Sequence, residues 1–136
     1  MTTAQRIKDA LITYLAANAP DESITVTDAN ARTEITLPAL AVDIQGSQAH
    51  SPALSMVNRA EVALVLRAHS GDEPEADIPA WIDQIESLLF DSSAMLDVIN
   101  GAHVMIYEWI YNGSVQAWDE ATLEVSFSAS VLFARQ

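Results

Sequence analysis

Three histidines, a run of carboxylates and scattered serines are the side chains of this 136-residue chain that could do chemistry. His50, His69 and His103 fall on three separate predicted elements and share no H-x-x-x-H spacing, so they read as surface or loop histidines. The acids Asp72, Glu73, Glu75 and Asp77 are of a type that suits calcium or magnesium. They lack the alternating Asx loop with its glycine and distal glutamate, and read as a solvated turn ending in a helix cap. No G-x-S-x-G elbow, phosphate loop or dinucleotide fingerprint occurs, and four glycines leave little from which to build one. The absence of cysteine excludes disulfides, thiol chemistry and cysteine-based zinc sites. Asn112-Gly113-Ser114 matches a glycosylation triplet, which has no meaning without a secretory route. The expectation is a protein without catalytic, metal or cofactor-binding residues, hence not an enzyme.

Charge narrows the partners. Nineteen acids against six Lys and Arg give a formal net charge of −13. Binding phosphates requires a basic surface that releases counterions, so this chain is a poor candidate for gripping DNA or an anionic membrane. DNA could still slide past it, and the acidity could equally serve solubility alone. No apolar run is long enough for a membrane helix, and Met1 to Lys8 lacks the layout of a signal peptide, so a soluble protein that stays where it is made is expected.

The elements that must position these residues can be read from periodicity. The length fits one domain over residues 1–136, and half the residues are apolar, enough for one core. Ile7, Leu11, Tyr14 and Leu15 recur at helical spacing, with Arg6, Lys8, Asp9 and Thr13 off that face; Thr2 with Gln5 has capping-box spacing and Pro20 marks the stop. Asp21 to Arg32 reads as a loop or weak edge element with a short strand at Ile24 to Thr27. Alternation begins with Ile35 and Leu37, shifts phase at Pro38-Ala39, where a bulge or edge position is expected, and continues through Leu40, Val42 and Ile44. Gly46 to Asn58 has no periodicity and reads as a long loop. Ala60 to Ala68 alternates again, with Val62, Leu64 and Leu66 on one face.

Asp77 as N-cap and Pro79 open the clearest helix, whose Ile78, Trp81, Ile82, Ile85, Leu88 and Leu89 form one stripe. Asp91 to Gly101 reads as a turn with a further helical turn through Met95 and Leu96. Two strands, Ala102 to Tyr111 and Thr122 to Phe133, flank a connection at Asn112 to Ala121. In the last strand Leu123, Val125, Phe127, Ala129, Val131 and Phe133 alternate with small polar residues, which either meet water or let another subunit approach. The aromatics Trp81, Trp109, Trp118, Tyr107 and Tyr111 gather near the last hairpin, mostly as core. The predicted class is α+β: a two-layer domain with an antiparallel or mixed sheet packed against two helices. Ile82, Ile85, Leu89, Val125 and Phe127 are expected to be buried where the second helix crosses the sheet.

These features together resemble a known family. An amphipathic first helix leads to Leu37-Pro38-Ala39-Leu40-Ala41-Val42; an alternating strand and an acidic turn follow; Ala80-Trp81-Ile82-Asp83 opens a helix about 40 residues on, and an alternating strand closes the chain. From Thr3 to Phe133 this resembles the tail terminator proteins of long-tailed bacteriophages, the minor tail protein U family. Asp21 to Arg32 departs from that pattern. The resemblance implies a structural subunit that caps the tail tube as a hexameric ring, ends tail polymerisation and offers the head-joining surface. The implied partners are its own copies, the tail tube protein and a head-connector or neck protein, with DNA only as passing cargo. The implied location is the host cytoplasm during assembly, then the head-proximal end of the virion tail.

On that reading, Gln48, His50, Leu54, Met56 and Asn58 of the long loop and Ser126, Ser128 and Ser130 of the last strand are the candidate oligomer or tail-partner interface. Asp72, Glu73 and Glu75 are the candidate lumen acids. The alternatives are another neck or tail-completion protein of similar fold, and a small acidic ligand-binding domain or enzyme using the Asp72 to Asp77 acids.

Overall fold

The computed structural model describes residues 3–30, 36–49, 57–69, 78–101, 104–118 and 122–134. Helix α1 spans Thr3–Ala17, followed by β1 (Thr25–Asp28), β2 (Ala39–Ala49) and β3 (Val57–His69). Helices α2 (Ile78–Phe90) and α3 (Ser92–Asn100) lead to β4 (Ile106–Trp118) and β5 (Thr122–Ala134). The strands form one five-stranded sheet in the order β1-β2-β3-β5-β4. β1 runs parallel to β2 and every other pair is antiparallel, so the sheet is mixed and the class is α+β.

β5 sits between β3 and β4, and its alternation sets the two faces of the sheet. Leu123, Val125, Phe127, Ala129, Val131 and Phe133 are buried toward the helices, in register with inward residues of β3 such as Leu64 and Leu66. The helical stripes complete that layer with Ile7, Leu11 and Leu15 from α1, Ile82, Ile85 and Leu89 from α2, and Met95 and Ile99 from α3. The five residues expected at the crossing of α2 with the sheet are all buried. Trp109 adds a polar tie: its indole N–H donates to the Leu89 carbonyl at 2.8 Å, fixing the end of α2 against β4.

Several expectations are corrected. Among the described residues the layer holds three helices rather than two. Asp91 accepts from the Ala94 N–H as an N-cap, and Met95 and Ile99 are buried four residues apart, so the segment read as a turn is a full helix. No bulge forms at Pro38-Ala39. The register from Ala39 to Gln45 is unbroken, because Pro38 precedes the ladder, where its missing N–H costs nothing and its carbonyl accepts from the Thr25 N–H. β1 covers Thr25–Asp28, one residue later than expected. Asn112 to Trp118 is strand rather than connection. The Asn-Gly pair that reads as a turn is a bulge, with Gly113 at φ 116 absorbing the extra residue, after which β4 resumes its pairing with β5. Thr2, Ile35 and the Asp77 cap lie outside the described residues.

Lys8 is a further correction. Expected on the polar side of α1, it is buried, and its ammonium pairs with Asp28 at 3.1 Å, tying the first helix to the edge strand β1. The Asn30 amide, donating to the Asp28 carboxylate at 2.8 Å, holds that acid below the usual carboxylate range; desolvation opposes this and Lys8 adds to it. A carboxyl whose pKa is depressed by folding stabilises the fold above its unfolded pKa of 3.8, and that contribution is lost as pH falls through the lower folded value. Asp28→Asn should therefore be less stable than the parent by about 1–3 kcal/mol near neutral pH, since the half-buried pair lies between the exposed and buried limits. The gap should close as pH falls through the lowered folded value, where Asp28 is itself protonated in the native state. Urea unfolding of both proteins across that pH range measures it.

Candidate interaction surface

With the three described helices on one side, the outward residues of β2, β3, β5 and β4 form a second face that no helix among the described residues covers. The register places Ala41, Val65, Ser126 and Val115 in one row across the strands, and Asp43, Ala63, Ser128 and Gly113 in the next. The middle of this face is thus small and nearly uncharged. Its two ends carry ion pairs: Arg59 with Glu61 at 2.9 Å, and Arg67 with Glu124 at 3.3 Å. Antiparallel sheets tolerate such one-sided burial. Charge depleted at the centre and gathered at the rim is also a feature of protein interfaces.

The three candidate serines divide. Ser126 and Ser128 are exposed on this face, where the sequence placed them. Ser130 is buried, which corrects its reading as an open interface residue. Its hydroxyl donates to Glu61 at 2.9 Å and accepts from the Asn112 amide at 3.2 Å, while Arg59 approaches at 3.5 Å. The bulge at Asn112-Gly113 brings that amide over the strand, and burial follows. Beside this network lies a pocket of about 190 Å³ lined by Arg59, Glu108, Ile110, Asn112, Ser130 and Leu132.

The long loop is corrected as well. β2 continues to Ala49 through a register shift between Gln45 and Gln48, and β3 begins at Val57, so Gln48 and Asn58 are strand residues. Gln48 pairs with Arg59 and Asn58 with Ala49. His50, Leu54 and Met56, and the acids Asp72, Glu73 and Glu75, lie outside the described residues. Among the described residues no group of three or more metal-ligating side chains comes together, and no helix is long and apolar enough to cross a membrane.

Periodicity did not reveal the strand edge. β4 is the outermost strand on its side. Of the five large apolar side chains exposed among the described residues, Met105, Tyr107, Ile110 and Val115 lie on β4 or just before it, and Val115 is 72% exposed. The fifth, Phe90 at the end of α2, stacks edge-on against Tyr111 of the same strand, with ring centroids 4.7 Å apart. The Tyr111 hydroxyl donates to Glu86 at 2.5 Å, and Ser114 donates to the same oxygen at 3.4 Å. Burial, and then the neighbouring carboxylate, push the Tyr111 phenol well above its ordinary range, so it stays a donor and binds β4 to α2.

No protein-family model matches the chain, and no curated protein matches it.

The split among the serines has a measurable consequence. Ser130→Ala removes a buried hydroxyl from a network including Glu61 and Asn112, and should cost about 1–2 kcal/mol. Ser126→Ala on the open face should stay within about 0.5 kcal/mol. Chemical denaturation of the two variants against the parent checks both values.

Proposed function

We propose that this protein is a phage structural subunit that caps the tail tube as a homo-hexameric ring, ends tail polymerisation and presents the surface that joins head to tail. The observation that carries this reading is the ordered resemblance from Thr3 to Phe133, taken together with where its motifs fall in the fold. Leu37 to Val42 leads into and begins β2, and Ala80 to Asp83 forms the first turns of α2, with Trp81 and Ile82 buried and Asp83 exposed.

Three physical features support it. The uncovered sheet face and the apolar edge of β4 are surfaces suited to neighbours of a ring. A net charge of −13 per chain repels the phosphate backbone, which suits a collar through which DNA passes without sticking. Repulsion between copies also weakens association in free solution at low salt, so assembly is favoured where a template holds the copies together. The work asked of the chain is recognition and closure, with its own copies, the tube protein and a neck protein as partners.

The test is to mix the purified protein with tail tubes and image their ends by negative-stain electron microscopy. The expected outcome is a ring of protein on one end of each tube, with tube elongation stopped. Tube ends that stay bare and continue to lengthen at saturating protein would refute the reading.

A further inference from the structure

Among the described residues the sheet leaves two edges without a strand partner, at opposite ends. β4 presents one side of its backbone to no strand among those described. β1 pairs with β2 only from Ala39 to Val42, so beyond Val42 the outer side of β2 has no strand partner among the described residues as far as Ala49. Natural edge strands are blunted by brevity, lysine, proline or inward charges, because an exposed ladder recruits other strands. β4 is long and holds no lysine, arginine or proline, with Glu108 as its single charge. Its bulges interrupt the ladder near Tyr107 and at Asn112, and Ser92 donates to the Trp109 carbonyl. The regular stretch beyond them, Gly113–Trp118, is uncharged and carries the most exposed apolar side chain, Val115.

We infer that β4 of one copy adds to the outer edge of β2 in the next copy, head to tail, so that the sheet runs on from subunit to subunit. This inference rests on the ring reading and names the contact that closes the ring. Charge selects the occupant. Two chains of −13 can approach closely only where charge is sparse, and both edges meet that condition, since β2 carries Asp43 alone. A basic partner would gain nothing from an uncharged edge and would seek the acids elsewhere. Geometry selects the mode. Pairing β4 with β4 across a two-fold axis would close a dimer and leave the β2 edge unpaired, whereas β4 on β2 satisfies both edges and propagates. A rotation between successive copies, supplied by the twist of the sheet, turns that propagation into a closed ring.

The absence of cysteine makes the test clean. Val115→Cys and Gln45→Cys each place one thiol on the outward face of its strand, at exposed positions where folding is checked by circular dichroism; Ala117→Cys replaces Val115→Cys if that variant fails to fold. Each variant alone, and an equimolar mixture, is treated with a short bismaleimide at high protein concentration and raised salt. Covalent dimer is expected in the mixture and not in either variant alone. Dimer from Val115→Cys alone would overturn the inference in favour of a two-fold β4 contact. Absence of dimer in the mixture would overturn it too. If rings form on tube ends while the mixture gives no dimer, the edge contact fails and the capping function stands. If the mixture cross-links and tube ends stay bare, the capping function fails and the edge contact stands.

Discussion

Burial of one face of β5 is the constraint on which the rest of this structure depends. Its apolar residues alternate with Glu124, Ser126 and Ser128, so a slip of one residue would put the whole core set in water. β5 pairs with β3 on one side and β4 on the other, and so imposes the same inward face on both. Three amphipathic helices then have a single place to go. The open face and the outer side of β4 are the complement of that choice, which makes the candidate interaction surface a consequence of how the core is built.

Charge reinforces the division. Lys8, Arg59 and Arg67 each meet an acid of the same chain, in Asp28, Glu61 and Glu124. These cations are used within the fold, and the large acidic excess remains for solvent and for whatever passes nearby. On the proposed ring reading, contact with another copy is confined to surface where charge is sparse. β4 with Glu108 and the outer part of β2 with Asp43 carry one charge each, so on that reading the sequence that keeps the free chains apart also specifies where they would meet.

Much of this was legible in the sequence, for identifiable reasons. α1, α2, β3 and β5 each repeat their apolar residues at one clear period, and the burial of Ile82, Ile85, Leu89, Val125 and Phe127 follows from that period alone. α3 was not legible as a helix because its two buried anchors, Met95 and Ile99, give too short a pattern to separate a helix from a turn. The second half of β4 was hidden by Asn112-Gly113, a pair whose conformational freedom serves bulges as well as turns. The end of β2 was hidden because polar residues there are held by backbone pairing to β3. Of the candidate surface, Ser126 and Ser128 were readable from alternation, whereas the burial of Ser130 and Lys8 depends on Glu61, Asn112 and Asp28, which are distant in sequence. That β4 is an edge could not be read locally, since strand order is a property of the assembled sheet.

Hydrogen exchange on the free chain and on the chain bound to tube ends tests the central claim, that copies meet through the edges of an open-faced sheet as they cap the tube. Amides of β5 are interior to the sheet in both states and should keep their protection. The outward amides of β4 from Gly113 to Trp118, and those of β2 beyond Val42, should exchange quickly in the free chain and slow by orders of magnitude on the tube. Unchanged exchange at both edges, with new protection confined to the helices, would contradict the account.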